Sequence, residues 1–182
     1  MSYSRSTLAV TVTATLVALA VAGCSSEKES AASKLPDRSC WGVFSRSDLE
    51  PLIGPGQEVK EKSPIDLRLN AVRRAATCTI EVDGQVRVMV TATRQPLGDS
   101  FFWPPTDTKP APEPLALGDK AMVWDTGART TLTCKGSADS FELELEVSGS
   151  VEHMKSADRR PLFTTLTKKY LEVAREQTQC GV

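Results

Sequence analysis

Cysteine is the residue type whose spacing says most about chemistry in this chain of 182 residues. Cys40, Cys78, Cys134 and Cys180 form an even set, whereas Cys24 stands apart near the N-terminus. Paired cysteines form disulfides in oxidising compartments, and thiolates bind metals where closely spaced ligands occur together. The spacings include no C-x-x-C pair and the chain has one histidine, so we expect two disulfides, no metal and no cofactor.

Four cysteines allow three disulfide pairings, and the sequence leaves the choice open. We favour Cys40 with Cys78 and Cys134 with Cys180, because each pairing joins a cysteine beside a predicted helix to one on a predicted strand. Closing loops of about 40 to 50 residues stabilises a fold by roughly 4 kcal/mol per bridge in the entropic model.

A carboxylate of possible catalytic importance lies in residues 122–128, MVWDTGA. This segment resembles the Asp-Thr-Gly loop of aspartic proteases, in which two aspartates share a proton and activate water. Only one copy is present, and the family's downstream apolar-apolar-Gly element is matched loosely by residues 146–149. The resemblance implies a dimeric aspartic hydrolase that uses Asp125. The residue types favour an ordinary turn, because Asp and Gly tolerate the backbone angles of tight turns.

Three further polar groups could carry chemistry, and a solvated surface is favoured for each. His153 is the one candidate histidine base, but no G-x-S-x-G segment accompanies it. A row of glutamates at period two could hold a cation, although basic residues are expected opposite it; the row is Glu142, Glu144 and Glu146, opposite Arg129 and Lys135. A loop with three arginines could contact an anionic envelope polymer; these are Arg68, Arg73 and Arg74.

The connection over residues 95–118 is the preferred candidate binding segment. It carries six of the eleven prolines and the aromatic run Phe101, Phe102 and Trp103. Connections of this length inside a domain are usually functional or disordered, and prolines keep them extended. The aromatic side chains either close the open end of the fold or rim a cleft or partner surface, and both interpretations stay open.

Periodicity predicts the elements that position these residues. Alternating residues predict a hairpin over 78–92 with its turn at Asp83-Gly84, a second hairpin over 121–134, and a strand over 141–147. A capping-box pattern predicts a short helix over 47–53. Helical spacing after Pro161 predicts a C-terminal helix of about 17 residues.

Strands grouped apart from helices predict an α+β fold. We expect an antiparallel β-sheet meander packed against the C-terminal helix and the short N-terminal helix, with two disulfides.

The N-terminal residues predict where the protein resides. Arg5 precedes an apolar run over 8–22, which ends in Val21-Ala22-Gly23-Cys24. The run is typical of a signal peptide, because a helix that spans a bilayer needs about 20 apolar residues. Its end resembles the lipobox of bacterial lipoproteins, in which the cysteine receives a diacylglyceryl group. The resemblance implies cleavage before Cys24 and a lipid anchor on the outer face of the cell membrane.

Composition divides the chain into three parts. Residues 1–23 form the predicted signal peptide, 24–37 the lipidated cysteine and a flexible tether, and 38–182 a single domain. Residues 25–37 lack aromatic and β-branched side chains, which argues against a packed structure there. Removing Arg5 from the 22 basic residues leaves 21 against 23 acidic, a net charge of −2. We therefore expect no nucleic-acid partner, only the membrane through the lipid anchor and an unidentified envelope ligand or protein.

The run Ser39-Cys40-Trp41-Gly42-Val43-Phe44, a helix ending at Gly54 and a strand beginning at Cys78 resemble poorly characterised actinobacterial cell-envelope lipoproteins. They are also distantly similar to the extracellular sensor domains of actinobacterial Ser/Thr kinases, which are α+β with two disulfides and a cleft. The resemblance implies export and fold but supplies no catalytic residues. We expect a non-enzymatic binding module; the alternatives are the dimeric aspartic hydrolase and a structural envelope component.

The anchor is tested by Cys24→Ser, which removes the thiol that would carry lipid. We expect the variant to be released into the medium or to remain uncleaved, as measured by membrane fractionation and by the mass of the processed chain. Ser25→Ala is the matched control and should stay anchored. A processed Cys24→Ser protein that still fractionates with membranes would contradict the anchor.

Overall fold

The computed structural model describes residues 30–98, 110–149 and 154–178. Its largest element is a seven-stranded antiparallel sheet. The strands of this sheet are β3 (Val59–Lys62), β4 (Ala75–Val82), β5 (Gln85–Pro96), β6 (Glu113–Leu115), β7 (Lys120–Trp124), β8 (Gly127–Thr133) and β9 (Asp139–Val147). The remaining elements are a 3₁₀ helix (Ala31–Lys34), the two-stranded pair β1 (Arg38–Ser39) and β2 (Phe44–Ser45), and the helices α1 (Arg46–Ile53) and α2 (Ser156–Gln177).

The strand order is β3-β4-β5-β9-β8-β7-β6. Consecutive strands pair within each half, while β5 and β9 pair in the centre, because the chain crosses from β5 to the far edge before returning. The predicted α+β fold with an antiparallel meander sheet, a C-terminal helix and a short N-terminal helix is confirmed. The Cys40–Cys78 disulfide is present. Cys134 is not a free thiol, but its expected partner Cys180 lies outside the described residues, so that pairing stays a prediction.

The turn between β4 and β5 has the predicted chemistry. Asp83 and Gly84 both adopt positive φ, 51° and 78°, as a two-residue hairpin turn requires. The Asp83 carboxylate also accepts hydrogen bonds from the amides of Gln57 and Glu58, at 2.9 and 2.8 Å. These bonds hold the segment that leads into β3 against the hairpin.

Helix α1 begins one residue earlier than predicted, because a different serine caps it. The Ser45 hydroxyl accepts from the Asp48 amide at 3.3 Å, and the Asp48 carboxylate accepts from the Ser45 amide at 2.9 Å. This reciprocal pair of hydrogen bonds is a capping box at the start of α1. Asp48 also forms an ion pair with Lys169 at 2.6 Å, which joins α1 to α2.

Helix α2 has 22 residues and begins at Ser156, so the start predicted at Pro161 is wrong. Pro161 is the sixth residue, where its missing amide removes a helical hydrogen bond. A tertiary contact holds the extra turn in place, because Arg160 Nε donates to Asp125 Oδ1 at 2.8 Å in the turn between β7 and β8. Such long-range contacts are not visible in local sequence patterns.

The core lies between one face of the sheet and the two helices. Central strands contribute Val90, Leu143 and Leu145, and α2 contributes Phe163 and Tyr170, all fully buried. Helix α1 adds Leu49 and Leu52. Within the described ranges, no helix combines the length and apolar character needed to cross a bilayer.

The described end of the predicted tether packs onto this core. Ala31, Ala32 and Leu35 are buried, and the Ala31 amide donates to the Gly54 carbonyl at 3.0 Å. Arg46 Nη2 donates to the Leu35 carbonyl at 2.7 Å. The tether was predicted from the lack of aromatic and β-branched residues, but here alanine and leucine fill the space beside α1. Residues 30–35, which were predicted as tether, therefore belong to the packed structure.

Tyr170 provides a test of the core, because its hydroxyl is buried and has no hydrogen-bond partner among the described residues. Burial raises the pKa of Tyr170 well above its usual range. We expect Tyr170→Phe to leave the free energy of unfolding unchanged or to raise it by about 1 kcal/mol, since an unsatisfied group is removed.

Urea unfolding followed by circular dichroism measures this effect. Tyr170→Ala is the control and should lower the free energy of unfolding by about 3–5 kcal/mol, because it leaves a cavity. A clear loss of stability in Tyr170→Phe would show that the hydroxyl is satisfied in solution.

Candidate functional site

A groove of about 650 Å³ lies between the C-terminal end of α2 and the connection from β3 to β4. Its volume is in the usual range for ligand pockets. We call it the Trp41 groove, and its lining residues are Trp41, Ile65, Asp66, Arg68, Leu69, Asn70, Glu176, Gln177 and Thr178.

The connection over residues 63–74 is ordered by its own side chains. Arg73 donates to the carbonyls of Arg68 and Asp66, at 2.7 and 3.0 Å, and forms an ion pair with the Asp66 carboxylate. Asn70 Oδ1 accepts from the amides of Val72 and Arg73, both at 2.8 Å. The hydrogen bond from Arg73 lowers the pKa of Asp66. This wall of the groove is therefore folded before any ligand arrives.

Gln177 joins this connection to the rest of the domain. Its Nε2 donates to the Trp41 carbonyl and its Oε1 accepts from the Leu67 amide, each at 3.2 Å. The Leu67 side chain is fully buried in the core. The Gln177 side chain at the end of α2 thus holds both Trp41 and the connection over residues 63–74 in place.

Trp41 is held in position by an unusual backbone turn. Cys40, Trp41 and Gly42 have φ of 50°, 61° and 80°, which is the left-handed region that L-residues with side chains avoid. The disulfide to Cys78 and a 2.9 Å bond from the Cys40 amide to Glu61 Oε1 stabilise the turn.

The indole of Trp41 stacks on a core side chain. Its ring lies 6.1 Å from the ring of Tyr170 with an interplanar angle of 22°. Its Nε1 is buried and has no hydrogen-bond partner in the described part of the chain, while the side chain as a whole is only half-buried. The indole surface that remains accessible is therefore carbon.

Three of the exposed side chains of the groove differ in what they offer a ligand. Arg68 has 80% of its side chain exposed and lies 3.8 Å from Asp66 at its nearest ion-pairing atoms. Glu176 is exposed and makes no ion pair with any described residue. Ile65 is 97% exposed at the edge of the lining. The groove therefore offers a cation, a carboxylate and an apolar lip.

Several predicted site residues lie outside the described residues. These are the lipidation site Cys24, the candidate binding residues Phe101, Phe102 and Trp103, the cysteine Cys180 and the histidine His153. The three predicted arginines do not act together. Arg73 is bound inside its own loop, Arg74 Nε donates to the Arg94 carbonyl at 3.3 Å, and only Arg68 lines the groove.

Asp125 lies in the turn between β7 and β8 with 17% of its side chain exposed. Its Oδ1 accepts from Arg160 at 2.8 Å and its Oδ2 from the Ser156 hydroxyl at 3.3 Å. A carboxylate engaged by a guanidinium is poorly placed to share a proton with a second aspartate. The contacts favour a structural role at the start of α2.

The glutamate row on β9 faces a basic partner. Arg129 forms an ion pair with Glu144 and lies 3.7 Å from Glu142. Of the two basic residues predicted opposite the row, Arg129 is therefore the partner, whereas Lys135 is exposed. Burial raises the pKa of Glu142 and of Glu146. Ion pairing across strands on a half-buried face accounts for Glu142 and Glu144.

One set of potential metal ligands occurs in the described part of the chain. Ligand atoms of Cys40, Cys78 and Glu61 lie within 4.8 Å of one another. The two sulfurs are bonded to each other, so neither can act as a thiolate ligand.

The chain matches no protein-family model, no curated protein and no solved structure. Functional assignment therefore depends on the geometry of the site. Sequence patterns missed the Trp41 groove because its walls come from an irregular connection and from the end of a helix. Two features of the sequence could have indicated the groove: a tryptophan next to a predicted disulfide, and the polar turn residues Asp66 and Asn70.

The role of Gln177 is tested by Gln177→Ala and hydrogen–deuterium exchange. We expect protection of the Leu67 amide to fall about fivefold, since one hydrogen bond contributes roughly 1 kcal/mol. Glu176→Ala is the matched control, because Glu176 adjoins Gln177 but makes neither bond. Unchanged protection in Gln177→Ala would show that the groove wall is held by other contacts.

Proposed function

We propose that this protein is a non-enzymatic binding module, exported and anchored by lipid at Cys24, and that its ligand binds in the Trp41 groove. The observation that carries the proposal is a preformed groove in which the half-buried Trp41 lies beside the exposed side chains Ile65 and Arg68. Tryptophan and arginine are the residue types that most often dominate binding energy.

Preorganisation supports this assignment. Binding costs free energy when loops and side chains must be ordered, and a site that is already ordered avoids that cost. Arg73, Asn70 and Gln177 supply the internal hydrogen bonds that order this groove. These bonds use groups that would otherwise be free to face the ligand.

The polar groups of the groove support binding more than catalysis. Nucleophilic catalysis needs a hydroxyl or thiol within hydrogen-bond reach of a base. The only hydroxyl among the lining residues is that of Thr178, which donates to the Ala174 carbonyl. Of the two lining carboxylates, Asp66 is paired with Arg73 and Glu176 lies at the exposed rim.

The proposed location is the outer face of the cell membrane. A buried disulfide between Cys40 and Cys78 fits an oxidising, extracytoplasmic compartment. The lipobox resemblance at Cys24 supplies the anchor in this proposal, and two acyl chains give stable attachment. The similarity to actinobacterial envelope lipoproteins belongs to the same proposal.

The two alternatives make different demands. A dimeric aspartic hydrolase would need Asp125 to leave Arg160 and meet a second aspartate, which the 2.8 Å contact disfavours. A structural envelope component would have no saturable ligand.

A capture experiment with matched variants tests the binding function. Detergent-solubilised full-length protein is immobilised and incubated with cell-envelope extract over a range of concentrations. The groove variant is Ile65→Ser with Arg68→Ala. The control variant is Val72→Ser with Arg74→Ala, which also changes one exposed β-branched aliphatic residue and one arginine in the same connection, but outside the groove.

We expect saturable capture by the native protein and the control variant, and at least a tenfold loss in the groove variant. Equal capture by both variants would place binding elsewhere. No saturable capture by the native protein would favour the structural component.

A further inference from the structure

The charges of the Trp41 groove balance one another. Asp66 is neutralised by Arg73, which leaves Arg68 and Glu176 as opposite charges in the lining. A groove for a strongly anionic or cationic ligand would carry an excess of one sign. An uncharged ligand fits this balance, because its hydroxyl groups can bond to both charges.

The apolar part of the groove is a flat surface. One face of the Trp41 indole stacks on Tyr170, and the accessible remainder of the ring is carbon, since its Nε1 is buried. A rigid aromatic side chain gives a large contact area at a low entropy cost. The C–H face of a pyranose ring is a flat apolar surface of matching shape.

The polar part of the groove offers donors and acceptors together. Six lining residues have polar side chains and three have apolar ones. The Arg68 guanidinium and the Asn70 side-chain NH₂ are donors, while the Glu176 carboxylate is an acceptor. Hydroxyl groups both donate and accept, so a polyhydroxylated ligand can satisfy all three.

The usual modes of polypeptide recognition fit less well. Strand addition needs an open strand edge, and none of the nine lining residues belongs to a strand. A bound helix needs a row of apolar anchors, and the only aliphatic lining residues are Ile65 and Leu69. Proline-rich segments need a groove lined by several aromatic rings, and this lining contains one.

We propose that the Trp41 groove binds an uncharged oligosaccharide, with one sugar ring on the Trp41 indole and its hydroxyls bonded to Arg68, Asn70 and Glu176. This inference rests on the proposed binding function and names its ligand class. A ligand of this kind is a chain of pyranose rings, several of which fit a groove of about 650 Å³.

Isothermal titration calorimetry tests the proposal with three soluble probes: cellotriose, mannotriose and triacetylchitotriose. The full-length protein is kept in a detergent without a sugar headgroup, because such a headgroup would compete. We expect saturable binding of at least one trisaccharide. Trp41→Ala should raise its Kd at least tenfold, and Trp41→Phe should raise it less because a ring remains.

Two exposed positions keep the test valid if Trp41→Ala fails to fold. Arg68→Ala and Glu176→Ala should each raise the Kd several-fold. Their matched controls are Arg74→Ala in the same connection and Glu172→Ala on the same helix, and both should leave the Kd unchanged.

Two results would overturn the proposal. If no trisaccharide binds while the envelope capture still depends on the groove, the ligand is not an uncharged saccharide, but the binding function stands. If a trisaccharide binds with a Kd that Arg68→Ala and Glu176→Ala leave unchanged, the saccharide site lies elsewhere.

Discussion

The bond between Cys40 and Cys78 fixes the position of Trp41, which both continues the core and lines the groove. The two Cα atoms lie 5.4 Å apart, which joins an irregular turn to a central part of β4. A left-handed backbone costs a residue with a side chain roughly 1–2 kcal/mol. Cys40 and Trp41 both adopt it. A crosslink of this span stabilises a fold by several kcal/mol in the entropic model, which is enough to offset that cost.

The position of Trp41 has effects on both sides of the ring. On the inner side the indole covers Tyr170 and continues the core. On the outer side it lines the groove. Its carbonyl accepts from Gln177, so the same residue also fixes the end of α2. Core packing and the proposed ligand binding therefore share one residue, and we expect a change that loosens one to loosen the other.

Local chemistry predicted the elements that depend on neighbouring residues. The Asp83-Gly84 turn and the strands beside it follow from alternation and turn preference, as does the antiparallel sheet with a helix against it. Elements that depend on distant contacts were missed or misplaced. Strands β3 and β6 lie at the sheet edges with no apolar alternation, and the first turn of α2 depends on Asp125. The residues that line the groove follow no periodic sequence pattern, because hydrogen bonds within residues 63–74 and from Gln177 hold them in place.

The packing of the 3₁₀ helix against α1 changes how an anchored domain would move. Because Ser30 already bridges to Pro55, the proposed anchor Cys24 lies six residues from the packed domain, and six residues of any conformation reach at most about 20 Å. A domain of this size has a radius of gyration of about 15 Å. In the anchored form that we propose, the segment between the lipid and the domain is thus shorter than the diameter of the domain. Such a molecule searches for ligands in two dimensions, and a polymer lying along the membrane would meet many copies at a high local concentration.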